Sequence, residues 1–410
     1  MAFAIGAIVF ALGLLASIAW HECGHMWAAQ ATGMKVRRYF VGFGPTLWSV
    51  RRGETEYGIK ALPLGGFCDI AGMTPHEDLA PDEQRRAMFR QQAWKRLLVL
   101  FAGPAQNFVL GFVLIVVAGL AWGLPDLSPP PTGTTVAQVG CVTSSITVGA
   151  DDSVTEQPCS GTGPAGAAGL LAGDRIVAVD GTPVDRSAEL TPRIQQSTGP
   201  VSLTVRRGDR EFTTTMTPQP LTITTTDQNG KVTRESINRV GITFEVPPAW
   251  KHYDAVSILP GSVVFTAELA GRTWDALLAM PTKVHSLWIA VTGGERAADT
   301  PISVYGATVL GGQAAERGLW GTFLLLLISI NFFLGLFNLV PLLPLDGGHM
   351  AIVGYEKVRD LFRRLFGRAP GGPVDYYKLL PATYAVVLVM GAFMVLTLAA
   401  DIVNPIPIPN

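Results

Sequence analysis

An α-helical polytopic membrane protein with four transmembrane helices, carrying an extracytoplasmic β-rich domain, is the fold class this sequence predicts. Three observations carry the expectation. The 410-residue chain has 15% charged residues and a net charge of -1, with a mean hydropathy of +0.32, a balance foreign to soluble proteins of this size. Four stretches of roughly 20 residues or more are apolar enough to cross a bilayer. Lysines and arginines gather in two of the loops that separate them. No basic tract interleaved with aromatics appears, so nucleic acid is not an expected partner.

Residues 1–34 read as the first transmembrane helix, opening on "AFAIGAIVFALGLLASIAW" and running through a polar motif to about Ala31. A signal peptide is the weaker reading, because a basic start and a small-residue cleavage site are missing. In residues 35–96, "RRYFVGFGPTLWSV" and "TEYGIKALPLGGF" alternate apolar and polar residues around "RRGE", the pattern of a β-hairpin with one apolar face. Beside a bilayer such a hairpin can dip into the interface as a re-entrant element, and its free edge can pair with an extended peptide. Residues 97–124 form the second span.

A Pro-rich linker, "GLPDLSPPPTG", opens a region at 125–249 whose short strands ("DRIVAVDG", "VSLTVRRG", "REFTTTMTPQ", "NRVGITFE") indicate one β-rich domain. Residues 250–317 hold Glu268, Arg272 and Asp275 in an amphipathic pattern, which favours a membrane-surface helix over a fifth span. The third span is 318–346, a second loop is 347–378, the fourth span is 379–401 and a tail is 402–410. Lys35, Arg37, Arg38 and others up to Arg96 charge the first loop, and Lys357 through Lys378 the second. The positive-inside rule places both in the cytoplasm and leaves the N-terminus, the β-rich domain and the tail outside. Cys141 and Cys159 bracket a polar segment. A disulfide between them is reasonable in an oxidising compartment, two unpaired thiols being the alternative.

"HECGH" ends the first apolar run. His21 and His25 are four apart and share a helix face, so both imidazoles can meet one ion, while Glu22 lies about 100° away. This is the H-E-x-x-H arrangement, in which two histidines hold zinc and the glutamate handles the proton of the attacking water. An ionised glutamate at that depth is costly without a partner, and a bound dication reverses the argument. Such sites need a third protein ligand. Asp346, between Pro344 and Gly347-Gly348 where the third span must break, is favoured over His349. His76, His252 and His285 read as solvated. Asn338 is expected to face substrate, where its amide stabilises an oxyanion or holds a peptide carbonyl, an interhelical hydrogen bond being the alternative. Asn107 is a weaker candidate of the same kind, since Gly103-Pro104 beside it also suggests a packing kink, and Asn331 reads as an interhelical hydrogen bond.

"HECGH", "GFGP", "LPLGGF", "AGPAQN" and "NLVPLLPLDGG" together resemble site-2 proteases, the zinc-dependent intramembrane metalloproteases. "GPAGAAGLLAGDRIVAVDGTPV" resembles a PDZ domain, which places the chain near the bacterial branch that cleaves anti-sigma factors. The resemblance implies that His21, His25 and Asp346 ligate Zn²⁺, with Glu22 as general base and Asn338 assisting substrate or oxyanion. It makes Gly42, Phe43, Gly44, Gly65, Gly66 and Asn107 substrate contacts, the hairpin being the re-entrant loop that presents an unwound strand. Val240, Gly241 and Ile242 would form a carboxylate-binding loop. It further implies a bacterial inner-membrane location, single-pass substrates trimmed first by a site-1 protease, and contact with the lipid bilayer. Two features depart from the family: one PDZ-like segment instead of two, and "DTPISVYG" where relatives carry a Gly-Pro-Ile element. A non-catalytic PDZ scaffold and a metal transporter are the competing functions. An intact ligand set with Glu22 argues against the first, and clustering of ionisable groups at the ends of two spans argues against the second.

Overall fold

The computed structural model describes residues 1–127, 132–148, 154–226, 232–246, 249–294, 296–297 and 299–406. It divides into two compact units, Met1–Leu127 with Trp250–Asn410, and Ser128–Ala249. Residues 128–131 of the expected linker and 407–410 of the expected tail lie outside the described residues.

The first unit opens with α1 (Ala2–Ala31), whose buried stripe Phe10, Leu14, Ser17, His21 and His25 recurs every three or four residues. That period is one helix face, so the two histidines share the face that packs inward. Strands β1 (Val36–Arg52) and β2 (Thr55–Ile70) follow as the expected hairpin. It is bent back on itself, which alternation alone does not predict. Residues 36–43 pair with 62–70 on one side and 56–59 on the other, while 46–52 pair with 55–60. The ribbon is thus four short segments side by side, with 62–70 at one edge. No strand pairs with the outer side of that edge among the described residues.

Beneath the hairpin, Lys35 and Arg37 meet the segment that follows β2. Lys35 lies 2.7 Å from Asp82 and 3.1 Å from Glu83. Arg37 forks onto Glu83, with its Nε donating at 2.9 Å, and also pairs with Glu77. The Arg37 guanidinium, with the Ala80 N–H and Lys35, holds the Glu83 carboxyl down at about 2, against an ordinary 4.5. A depressed carboxyl pKa stabilises the fold above the unfolded value and is lost as pH falls through the folded one. Thermal stability in detergent should therefore drop between pH 4.5 and 2, and Glu83→Gln should remove that part of the slope, about 1–3 kcal/mol.

Next come α2 (Ala93–Ala121) and β3 (Leu124–Pro125). The second unit follows: β4 (Val136–Val139), β5 (Ser145–Val148), β6 (Val154–Glu156), α3 (Gly163–Ala167), β7 (Arg175–Val179), β8 (Thr182–Pro183) and α4 (Ser187–Gln195). Strands β9 (Val201–Arg207), β10 (Arg210–Met216), β11 (Gln219–Thr226), β12 (Val232–Arg239) and β13 (Ile242–Phe244) complete it. Two four-stranded sheets have the orders β10-β9-β7-β8 and β12-β11-β5-β6, and β13 pairs with β4. Ile176, Val179, Leu190, Leu203 and Val205 form the centre of its core. Asp174, whose carboxyl the Arg207 guanidinium holds low, takes a two-pronged ion pair at 2.6 and 2.7 Å. Cys141 and Cys159 are joined, their Cα atoms 5.8 Å apart.

The chain re-enters the first unit at β14 (Trp250–Lys251), which pairs antiparallel with β3, and Lys251 reaches Asp126 at 2.9 Å. Helix α5 (Ile258–Val291) then runs 34 residues, and α6 (Val304–Glu316), capped by Ser303, begins within the "DTPISVYG" stretch that departs from the family. Helix α7 (Trp320–Asn338) ends eight residues before the expected end of the third span. Hydropathy persists to Leu345, but Pro341 and Pro344 cannot continue a helix. The chain restarts as α8 (Asp346–Leu365), a helix within the expected 347–378 loop, and closes with α9 (Leu380–Val403). A Cβ on Gly347 would lie 2.3 Å from the Leu339 carbonyl, so the bare glycine lets the first turn of α8 fold against the break. Four helical segments, α1, α2, α7 and Tyr376–Val403, are long and apolar enough to cross a membrane. Helix α5 is not among them. Two ion pairs are buried: Arg96 of α2 with Glu356 of α8 at 2.6 Å, and Arg296, in the connection between α5 and α6, with Asp401 of α9 at 2.7 Å.

Candidate metal centre

The face of α1 that carries His21 and His25 meets the first residue of α8. His21 Nε2 lies 3.1 Å from His25 Nε2, and each is 3.3 Å from Asp346 Oδ2. Both histidines are buried and Asp346 nearly so. These separations test the fit of an ion. Donors about 2.0–2.1 Å from one tetrahedral zinc stand about 3.3–3.4 Å apart. Among the described residues this is the one cluster of three histidine, cysteine, aspartate or glutamate groups placed to share an ion. The sites of chain entry differ, 21 and 346, so the triangle is built by tertiary packing, not by a local motif.

Room for the imidazoles comes from α2. A Cβ on Gly103 would lie 2.2 Å from His25 Nε2 and 2.7 Å from His21 Nε2. The other ring nitrogens are held from behind: His25 Nδ1 is 2.8 Å from the Val99 carbonyl and His21 Nδ1 is 3.0 Å from the Asn107 amide. A carbonyl can only accept, so His25 carries its proton on Nδ1 and turns an Nε2 lone pair to the centre.

A cavity of about 400 Å³ opens beside the triangle. Glu22 lines it, and the backbone N–H of Cys68, on the hairpin's outer edge segment, lies beside the Glu22 carboxylate. The hairpin therefore reaches both Glu22 and the cavity. Phe43, Gly65 and Gly66 line the cavity, as does Asn338 at the end of α7. Gly66 packs against Glu22, where a Cβ would lie 3.6 Å from Cγ. Gly65 adopts φ +149, and a Cβ there would meet the Phe43 ring at 2.8 Å, so only glycine keeps this stretch of edge flat.

Six expected contacts do not line this cavity. Gly42 and Gly44, at φ +94 and +81, shape the bend of the hairpin without lining the cavity. Asn107 is fully buried behind His21 and is not in the cavity wall, because α2 turns the residue one turn after Gly103 toward the imidazole. Val240, Gly241 and Ile242 line a separate cavity of about 640 Å³ in the second unit, beside Thr191 and Ile194 of α4 and with the Cys141–Cys159 bridge in its wall. Asn331 donates to Ser17 Oγ at 3.0 Å, the interhelical bond its sequence context suggested. His349 faces Tyr376 at 3.3 Å instead of joining the triangle. Sequence reading missed the Gly103 clearance, the Val99 carbonyl and the Cys68 N–H. The only available signal was Gly103 and Asn107 four apart in "AGPAQN".

Comparison with known proteins adds the decisive observation: residues 9–369 match the model of peptidase family M50. The chain belongs to peptidase family M50. It is 48% identical over 413 residues to the zinc metalloprotease Rip1 of Mycolicibacterium smegmatis, covering 100% of both chains. Identity to Rip1 of Mycobacterium tuberculosis H37Rv is 46% over 415 residues and 99% of both. The regulator of sigma-E protease RseP of Escherichia coli K12 is 27% identical over 447 residues, covering 90% of this chain and 92% of that one. This M50 chain is accordingly a zinc metalloendopeptidase of the site-2 protease type, with zinc as its cofactor, and a membrane protein.

Proposed function

We propose that His21, His25 and Asp346 hold the zinc ion, that Glu22 is the general base, and that the substrates are membrane-spanning segments of single-pass proteins such as anti-sigma factors. The observation that carries the assignment is the triangle of donor atoms at 3.1–3.3 Å with Glu22 beside it on one cavity. When bound, zinc supplies a Lewis acid that polarises the scissile carbonyl and acidifies the attacking water. Glu22 takes the proton of that water and returns it to the departing amine. In this reading the Asn338 amide, which lines the same cavity, steadies the oxygen of the substrate carbonyl.

A peptide bond inside a helix is shielded, so the substrate must unwind, and in lipid its freed backbone groups need partners. The unpaired edge of the hairpin at 62–70 supplies them by strand addition next to Glu22, with Phe43, Gly65 and Gly66 beneath the added strand. In this reading the hairpin is the re-entrant element, and the protein sits in the bacterial inner membrane with its N-terminus outside. The second unit is an extracytoplasmic PDZ domain whose cavity between α4 and β13, at Val240, Gly241 and Ile242, takes a peptide exposed by a prior site-1 cut.

Stripping the metal tests the cofactor and the site together. Treatment with 1,10-phenanthroline should abolish cleavage of a model transmembrane substrate in proteoliposomes, and readdition of zinc should restore it. Asp346→Asn protein should hold less than a tenth of the zinc of wild type. Cleavage that survives full zinc removal would refute the assignment.

A further inference from the structure

We infer that Asn107 is a positioning residue that fixes the tautomer of His21 and thereby sets how tightly the site holds zinc. The inference rests on the reading of His21 as a ligand. Asn107 is completely buried on α2, and its amide is the group that meets His21 Nδ1, at 3.0 Å. Its other amide atom, Oδ1, is buried and has no hydrogen-bond partner. An orphaned buried carbonyl oxygen is costly, and native structures seldom leave one without a reason.

The reason follows from the two ring nitrogens. For His21 to offer an Nε2 lone pair, its proton must sit on Nδ1, and Nδ1–H then needs an acceptor. His25 has one, the Val99 carbonyl at 2.8 Å, and its tautomer is set by a backbone atom that can do nothing else. His21 has Asn107, which can do either of two things. With Nδ2 turned to the ring, Asn107 donates to Nδ1, and the His21 proton sits on Nε2, directed at Asp346 3.3 Å away. That ring cannot bind an ion.

A half-turn of the terminal amide exchanges nitrogen and oxygen with little steric change, the torsion being broad and two-fold. Oδ1 then accepts from Nδ1–H, and the orphan acquires its partner. Nε2 is freed toward His25 and Asp346. Amide orientation and metal competence of His21 are therefore one variable. Gly103, one turn before on the same face of α2, leaves the space in which the rings reach this geometry. One helix thus provides the clearance and the acceptor.

The test separates an acceptor from a space-filler. Zinc affinity of the full-length protein in detergent is measured by competition with a chelator of known affinity, for wild type, Asn107→Leu, Asn107→Asp and His21→Ala. Loss of an outer-shell partner typically weakens metal binding about 10–100-fold. Asn107→Leu, of similar size but with no acceptor, should show that loss. Asn107→Asp, which keeps an oxygen facing Nδ1, should bind zinc at least as tightly as wild type. Thermal unfolding of the zinc-free proteins controls for folding, with Asn107→Ala replacing the leucine variant if that one does not fold. Wild-type affinity in Asn107→Leu, or equal losses in Leu and Asp, would overturn the inference. Retention of zinc by His21→Ala would instead overturn the ligand assignment beneath it.

Discussion

Replacing Glu22 by glutamine should leave a folded, zinc-loaded protein that does not cleave. Glutamine keeps the shape and still fits beside Gly66 and the Cys68 N–H, but its amide cannot accept a proton from water. Loss of a positioned general base costs about 10²–10⁴-fold in rate. In the proposed mechanism the same residue also reprotonates the leaving amine, so the upper end of that range is expected. Single-turnover cleavage of a transmembrane substrate in proteoliposomes, with zinc content read in parallel, checks both halves. Cleavage within tenfold of wild type would remove Glu22 from the proton path. Loss of zinc along with activity would make it a structural residue.

The second large effect is expected from one methyl group. Gly103→Ala places a Cβ 2.2 Å from His25 Nε2, 2.5 Å from its Cε1 and 2.7 Å from His21 Nε2. No Cβ tolerates such contacts, and the atoms displaced are those that face the centre. The imidazoles cannot retreat freely, because Val99 and Asn107 hold them from behind. We expect zinc content to fall at least tenfold and cleavage to become undetectable, while α2 still forms, since alanine is the better helix residue. Metal analysis with circular dichroism in detergent separates the two. A variant that keeps its zinc would mean that the rings have a second seat.

Much of the centre was legible because its chemistry is short-range in sequence. "HECGH" places two imidazoles on one helix face by spacing alone, and "PLLPLDGG" marks a helix break at which a ligand can stand. The hairpin was legible from its alternation. What surrounds these parts was not, because it depends on packing between distant segments. Nothing in "AGPAQN" distinguishes a helix kink from clearance for two imidazoles, nor a substrate amide from an amide behind a histidine ring. The folding of the hairpin into four segments depends on Arg38, Tyr39, Phe40 and Val41 each pairing twice, which no local pattern announces. The length of α7 was overestimated because hydropathy runs past the prolines that end it. In the second unit, β11 and β12 and the helix α4 were missed, since Thr-rich strands and a short polar helix carry weak periodicity.

The β3–β14 pair has a consequence for modularity. Leu124 faces Lys251 and Pro125 faces Trp250 across one antiparallel rung, fastened by Asp126 and Lys251. The point where the chain leaves the first unit and the point where it returns are thus already joined, as in the stem of a hairpin whose loop happens to be about 120 residues long. Exchanging the residues between the stem strands for a tight turn, or for a different domain, should therefore leave both stem strands in place. The first unit closes its own ends, and its fold does not need the second to hold them together.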